Sequence, residues 1–418
     1  MVRQTIDPRL ASYAKPGGRP RRRDTFCGMG PLGGDDVAHA TALVERAEAA
    51  PALGNHTAHV RTAIDAAAAV LDTVAAPVLR ARLLLRLAEV QLVEQDLGGA
   101  DRALAAVADH VPDHVALRFL TGVRACRVAL RRGAEQRAQA GDMLLASAAR
   151  LPALDTGDPL WQRVTAEIIL GIAEVALHQD VPDPGAFEPL QQLVDGLAGP
   201  PLRPGTIDTV FTGTQLLAAY AMSLGDGPRA IAALRTLVRI AVEVGAPADE
   251  VEARLALTGV LIDTGTLVAR EEAAHHVQRA RDRALEHGLT NLHQATLVAQ
   301  AAVMSAGGKL AGALDRMLEL ARSAAVDQDV PRYVASVGVM ADLYARAGDH
   351  VSAFRTLAEA NHALSRATGS DASPLFRPHL AALQARIGAP RLEQIAADVA
   401  AANALAEAMR DRPASESS

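Results

Sequence analysis

A small residue followed by apolar residues four and seven positions later recurs along this chain of 418 residues. Because those offsets lie on one face of an α-helix, each copy predicts a buried helical stripe. The copies are Ala100-Leu104-Val107, Ala230-Leu234-Leu237, Ala273-Val277-Ala280, Ala313-Met317-Leu320 and Ala353-Leu357-Ala360. The last four leading alanines are 43, 40 and 40 residues apart. A regular interval of this length predicts a stack of helical hairpins, since one hairpin cannot bury its apolar face alone.

The links between the predicted helices carry specific turn chemistry. Gly225-Asp226-Gly227-Pro228 and Gly348-Asp349 each place a glycine that ends one helix and an aspartate that caps the next. Gly288 and Thr290 are predicted to do the same. Such short links force consecutive helices to pack antiparallel. No alternating strand pattern occurs, and only 3% of the residues are aromatic, so we predict an all-α fold of about eighteen helices.

The first helices of the hairpins repeat as well. Met340-Ala341, Tyr344, Gly348-Asp349 and Ala353 have the same spacing as Leu217-Ala218, Gly225-Asp226 and Ala230. Leu87-Ala88 precedes Ala100 correctly, with Gln95 in place of the turn glycine and Pro112 closing the unit. Other copies depart from the pattern: Gln300 stands where leucine is expected, and 265–273 holds about three extra residues in the turn.

This pattern resembles the tetratricopeptide repeat, in the longer form found in the helical-repeat regions of large bacterial transcription activators. The resemblance implies a right-handed α-solenoid of antiparallel helix hairpins whose first helices line a concave groove. In that family the groove usually binds a peptide, a helix or a segment of the same protein. The resemblance covers 75–410, with five readable copies and about four degenerate ones.

We predict three parts in the chain. Residues 1–34 form a flexible arm with a basic run at Arg19, Arg21, Arg22 and Arg23, and Met29 is an alternative translation start. Residues 35–410 form the repeat array, although 115–200 carries no clean motif and could interrupt it. Residues 411–418 form a disordered tail. The basic run has two interpretations, a solubilising tail or an electrostatic contact with nucleic acid or an acidic partner. The tail is favoured and nucleic acid disfavoured, because the net charge is −6 and the basic run has no interleaved aromatic residues.

No catalytic constellation is recognisable. Lys309 follows Gly307-Gly308, but a phosphate-binding loop would need another glycine at Val303 and a hydroxyl at Leu310. Glu271, Glu272, His275 and His276 are interpreted as a solvated helix face, because adjacent histidines point about 100° apart and cannot easily share one metal ion. The two cysteines predict no disulfide framework. We therefore expect no enzymatic activity, no cofactor and no metal.

The cellular location of the protein is predicted from two sequence features that are absent. It has no uninterrupted apolar run of membrane-spanning length and its first residues do not resemble a signal peptide, so a cytoplasmic protein without a membrane partner is expected. The single tryptophan, Trp161, is interpreted as a core or hairpin-edge anchor rather than as a ligand platform.

The binding residues are predicted by projecting the first helices onto the concave face that the resemblance implies. The candidates are Arg82, Arg86, Glu89, Thr212, Gln215, Asp342 and Arg346. The positions between them are mostly Ala, Gly, Val or Ser, which favours an apolar helix or segment as the ligand. Two hypotheses follow: a non-catalytic scaffold that binds a partner protein in the groove, or a regulatory module that binds a small effector or a transcription regulator.

Overall fold

The computed structural model of the protein describes residues 34–52, 57–111, 113–150, 159–179, 183–199 and 201–410. The predicted arm, apart from Gly34, and the predicted tail lie outside these residues, as does Pro112. The described helices are α1 Gly34–Ala49, α2 Thr57–Leu71, α3 Pro77–Val93, α4 Leu97–His110, α5 Val115–Leu130, α6 Ala134–Ala148, α7 Pro159–Ala176, α8 Phe187–Leu197, α9 Ile207–Ser223, α10 Gly227–Val244, α11 Pro247–Asp263, α12 Leu267–Glu286, α13 Thr290–Ala306, α14 Leu310–Val326, α15 Val330–Arg346, α16 His350–Thr368, α17 Ser373–Ile387 and α18 Ala389–Arg410. A 3₁₀ turn, Pro184–Ala186, precedes α8, and the described residues contain no strand.

Every helix packs against the next one in chain order, and most odd-numbered helices also pack against the following odd-numbered helix. The eighteen helices thus form nine hairpins in which the odd helices are the first members and the even helices the second. The fold is the predicted all-α, right-handed solenoid of antiparallel hairpins.

The first alanine of each predicted stripe is buried, as a buried helix face requires. All fifteen residues of the five stripes are buried, and each leading alanine has no exposed surface. A small residue at this position allows neighbouring helices to approach to about 8–10 Å, and the larger apolar residues of the stripe fill the space on either side. The predicted stripes are therefore confirmed as buried faces of the second helices.

The predicted turn chemistry is confirmed at the Gly-Asp links. Gly225 and Gly348 have φ of +71° and +83°, which is the left-handed region. The carboxylates of Asp226 and Asp349 accept hydrogen bonds from the backbone N–H groups of Arg229 and Ser352 at 3.1 and 2.9 Å. These caps satisfy backbone donors that a helix start would otherwise leave open.

Two local predictions were wrong. Thr290 does not cap α13, because the helix already begins at Thr290 and the preceding Leu289 makes no side-chain cap. The extra residues in 265–273 do not enlarge the turn either. The link is Gly265-Thr266, and the Thr266 hydroxyl accepts a hydrogen bond from Ala269 N at 3.2 Å. The additional residues form one more turn of helix at the start of α12, which is 20 residues long.

Helices α5 to α8 occupy the region 115–200, where no motif is readable. Helix α5 packs against α6 and α7, and α7 packs against α9, so the hairpin order continues through this part. Trp161 packs edge to face on Phe119, with the ring centroids 5.7 Å apart, beside the apolar core of α3 to α7. Trp161 is therefore a core anchor, as predicted.

Candidate functional site: the inner face of the solenoid

Two ion pairs between distant hairpins identify the inner face. Arg86 Nη1 on α3 lies 2.9 Å from Asp208 Oδ2 on α9, and Arg163 Nη1 on α7 lies 3.5 Å from Glu48 Oε1 on α1. A solenoid brings hairpins so far apart in sequence together only on the concave side of its curve. The side of the odd helices that carries these residues is therefore the inner face.

The turn residue that ends each first helix gives a common register for the inner positions. Residues equivalent by this register are Arg82, Arg86, Glu89 and Val93 on α3; Thr212, Leu216, Ala219 and Ser223 on α9; Glu252, Ala256, Gly259 and Asp263 on α11; Ala295, Ala299, Ala302 and Ala306 on α13; and Ala335, Val339, Asp342 and Arg346 on α15. The inner face is thus charged in the first hairpins and mostly small and neutral from α9 onwards.

The charged part is a connected group that we call the inner ionic network. Its members on the helices are Glu48, Arg82, Arg86, Glu89, Arg124, Arg127, Arg163, Glu167, Glu174 and Asp208, five arginines and five carboxylates, and the exposed Arg131 just after α5 adds a further pair with Glu174. They come from α1, α3, α5, α7 and α9. The carboxylate of Glu89 is central, since the guanidinium groups of Arg86, Arg124 and Arg163 lie 2.6, 3.2 and 3.2 Å from it.

The carboxylates of Glu89 and Glu167 are held in the ionised form, whereas burial raises the pKa of Asp208 in spite of its ion pair with Arg86. Burial alone would raise the pKa of Glu89, but Arg86, Arg124 and Arg163 outweigh that effect and hold its pKa well below the usual range. The pKa of Glu167 is lowered in the same way, because Arg124 and Arg127 outweigh its burial. Since Arg86, Arg124, Arg127 and Glu167 are buried, the removal of a partner of any of them would leave a buried charge uncompensated.

Three of the seven predicted binding residues belong to this network. Arg82 pairs with Glu48 at 2.5 Å, and Arg86 is only 1% exposed. Besides its two carboxylate partners, the Arg86 guanidinium donates hydrogen bonds to the backbone oxygens of Ala47 and Ala50. Arg86 thus has no surface that a partner protein could touch in this conformation.

The inner face of the C-terminal half is open to solvent. We call its small exposed residues the trough: Gly259 on α11, Ala295 and Ala302 on α13, and Ala335 and Val339 on α15. The acidic residues Glu252 and Asp263 of α11 are exposed on the same face. Val339 is 38% exposed although it is apolar. Asp342 and Arg346 lie in register at the end of the trough, where they pair with each other at 2.7 Å, and Asp342 also pairs with Arg386 at 3.2 Å.

A cleft opens between α9 and α11. These two inner helices make no close packing contact comparable to that of α7 with α9 or of α11 with α13. The space between them has a cavity volume of about 240 Å³ and is open to solvent on one side. The cleft is lined by Phe211, Gln215, Ala218 and Met222 of α9, Leu234 and Leu237 of α10, and Asp249, Glu252, Ala253 and Ala256 of α11.

The other predicted residues lie at separate places. Gln215 is exposed in the cleft, Thr212 is half-buried one turn earlier on α9, and Asp342 and Arg346 lie at the far end of the trough. The structure therefore does not bring the seven residues into one cluster. Sequence reasoning missed Arg124, Arg127 and Glu167, because they fall in the stretch without a readable motif. The sequence signal that could have identified them is their spacing. Arg124 and Arg127 are three residues apart on α5, and Glu167 and Glu174 are seven apart on α7, so each pair lies on one helix face.

The side chains considered for metal binding are engaged with one another. His276 Nδ1 lies 3.0 Å from Arg254 Nη1, and His276 Nε2 lies 3.6 Å from Glu272 Oε1. Within the part of the chain that the structure describes, no group of three or more potential metal ligands occurs. Lys309 follows Gly308, whose φ of +73° makes this segment a helix link.

Comparisons with known proteins support the fold. No protein-family model and no curated protein matches this chain. A crystal structure of a STAND protein (signal transduction ATPase with numerous domains) with a tetratricopeptide repeat sensor, from Pyrococcus horikoshii, is similar over 86% of this chain, with a TM-score of 0.53 and 14% sequence identity. The chain spans about half of that protein, 54% of its length. Among the described residues, no helix is long and apolar enough to cross a membrane. The chain is thus a helical-repeat protein similar in fold to a structure that contains a tetratricopeptide repeat sensor.

Proposed function

We propose that this protein is a non-catalytic interaction module that binds a helix or an extended segment of a partner protein along the trough. The supporting observation is the change in the inner face at α9. The inner ionic network fills the concave side of the first hairpins, whereas the trough is small, neutral and open to solvent. Small side chains let a partner helix approach closely, and the apolar surface removed from water on binding supplies the free energy.

Polar residues at the end of the trough would fix the register of the partner. Asp342 and Arg346 are exposed enough to exchange their mutual ion pair for contacts with a ligand. Exposed ion pairs of this kind contribute about 0–1 kcal/mol to stability, so their removal should leave the fold intact.

Photo-crosslinking in the native host tests the proposal. The amino acid p-benzoylphenylalanine is placed at Ala295 or Val339 in the trough, with matched controls at Ala232 and Ala274, which are exposed on the second helices α10 and α12. We expect one protein to be crosslinked from both trough positions and from neither control. Equal labelling from trough and control positions, or no labelling from the trough, would overturn the proposal.

The double variant Asp342→Ala with Arg346→Ala refines the same test. We expect a lower crosslinking yield from Val339, because the polar contacts at the end of the trough are lost, and an unchanged helical circular dichroism signal. An unchanged yield would remove these two residues from the binding site.

A second function is favoured by the cleft between α9 and α11. Its cavity volume of about 240 Å³ is below the range of about 300–1,000 Å³ typical of drug-sized sites, so the effector would be a small one. The similarity in fold to a protein with a tetratricopeptide repeat sensor supports a sensing role for this chain as well. In this form of the proposal, a small effector in the cleft would change the separation of α9 and α11 and so the shape that the trough presents.

A further inference from the structure

The cleft between α9 and α11 has an apolar floor. Leu234 and Leu237 of α10 lie at its base, and Phe211 and Ala253 line the facing walls of α9 and α11. All four side chains are buried with respect to bulk water, yet they border a space that the protein itself does not fill. An apolar body placed there would remove this surface from water at about 25 cal/mol per Å².

The charged residues that line the cleft are both acidic. Asp249 and Glu252 lie three residues apart on α11, and no arginine or lysine lines the space. The arginine of α11, Arg254, instead donates to Glu250 at 2.8 Å. The arginines of the adjacent α10 pair with Asp226, Glu272 and Glu243. The surrounding helices thus supply the cleft with negative charge only.

Glu252 has no counterion within the described residues, since no cationic group lies within ion-pair distance of its carboxylate. The side chain of Glu252 is exposed at the cleft wall, and partial burial of its carboxyl by the cleft raises its pKa. An unpaired carboxylate beside an apolar surface favours a ligand that combines a cation with an apolar group.

We propose that this cleft is a binding site for a small organic amine, whose apolar body lies against Leu234 and Leu237 and whose protonated nitrogen pairs with Glu252. Gln215, exposed on the opposite wall, would accept a hydrogen bond from the same nitrogen. Organic acids are excluded because their carboxylate would meet Asp249 and Glu252. This inference rests on the second proposed function, a small effector in the cleft, and names the chemical class of that effector; it does not require the trough.

Three matched probes test the chemistry with the purified full-length protein: 4-phenylbutylamine, 4-phenyl-1-butanol and 4-phenylbutyrate. They share one apolar body and differ in charge. By isothermal titration calorimetry at pH 7 and low salt, we expect the amine to bind at least tenfold more tightly than the alcohol, and the acid to show no binding. Equal affinities for amine and alcohol would overturn the assignment.

Variants locate the binding. Glu252→Gln should weaken amine binding at least tenfold and leave binding of the alcohol unchanged. Glu271→Gln, which makes the same change of charge at an exposed position on α12, should alter neither. Ala256→Phe, at an exposed position on the cleft wall, should abolish binding of both probes, whereas Ala274→Phe should not. Retention of amine selectivity in Glu252→Gln would overturn the role of this residue.

A competing occupant is the lysine side chain of a partner protein. An amphipathic helical peptide with one lysine on its apolar face is therefore titrated against the bound amine. We expect no displacement at peptide concentrations equal to that of the amine. Displacement that is lost in Glu252→Gln would assign the cleft to a partner's lysine instead. Crosslinking from Val339 reports on the trough alone, so failure of the amine site and failure of the proposed function can be distinguished.

Discussion

At the scale of single residues, many links between helices contain a residue with positive φ, and in two of them this residue is not glycine. Gly225, Gly245, Gly288 and Gly348 have positive φ, as their links require. Two links of the same kind use glutamine: Gln95 has φ of +61° and Gln328 has φ of +56°. A side chain in this region costs roughly 1–2 kcal/mol relative to glycine, because the Cβ atom approaches the following carbonyl oxygen.

Replacement of these glutamines by glycine should stabilise the protein. For Gln95→Gly and Gln328→Gly we expect a gain of about 0.5–1 kcal/mol each, because relief of the strained backbone exceeds the added flexibility of the unfolded chain. The measurement is the midpoint of urea unfolding, with an unchanged slope.

The reverse change is the control. Gly225→Ala places a Cβ atom at φ of +71° where no other atom lies within 4 Å, so only the backbone strain is tested. This variant should be destabilised by about 1 kcal/mol. If Gln95→Gly proved no more stable than the wild type while Gly225→Ala was destabilised, the strain at Gln95 would be relieved by other contacts.

At the scale of helices, the leading alanines show how much the sequence could predict. Their regular spacing and the offsets of four and seven were sufficient to predict the stripes, because helical periodicity is a local property. The length of α12 was not predicted. The three extra residues between Gly265 and Ala273 could form either a loop or a helical turn, and the capping hydroxyl of Thr266 was the signal that favours the helix.

Adjacent alanines on α12 allow a matched test of close packing. Ala273 is fully buried between hairpins, whereas Ala274 is exposed. Ala273→Leu should destabilise the protein by about 1–3 kcal/mol, because the larger side chain forces the helices apart. Ala274→Leu should change the free energy of unfolding by less than about 0.5 kcal/mol. The two variants have the same composition, and their urea unfolding curves are compared directly. Coincident curves would show that Ala273 is not a close contact.

At the scale of the whole molecule, the inner ionic network makes this solenoid unlike a simple linear array. In a linear array each hairpin contacts only its neighbours. Here Asp208 on α9 accepts hydrogen bonds from Arg86 Nη1 at 2.9 Å and from the backbone N–H of Ala52 at 2.9 Å, and so joins the fifth hairpin to the first two. The sequence could not predict this contact, because it depends on the curvature that small rotations between hairpins accumulate over many units.

Because contacts between distant hairpins depend on the curvature of the solenoid, only part of the candidate site was predictable from the sequence. Projection of the first helices predicted that Arg86, Gln215 and Asp342 share one face. By the turn register Arg86 and Asp342 take inner positions, whereas Gln215 lies one position outside that register and lines the cleft. Whether that face is filled or open at a given hairpin depends on residues that approach from distant hairpins, such as Asp208 and Arg163. A single first helix carries no information about them.

The variant Asp208→Asn tests whether the network holds the first five hairpins together. The neutral side chain keeps its size but loses the charge that pairs with Arg86, so protection of backbone amides in α1 and α3 should fall by about 2 kcal/mol. Hydrogen exchange followed by mass spectrometry measures this loss peptide by peptide.

Helices α15 and α16 make no contact with the network and should exchange as in the wild type. Asp342→Asn, which removes an exposed ion pair with Arg346, serves as the control and should change protection by less than about 1 kcal/mol. Unchanged protection of α1 and α3 in Asp208→Asn would mean that the contacts between neighbouring hairpins close this part of the solenoid without help from the ion pair.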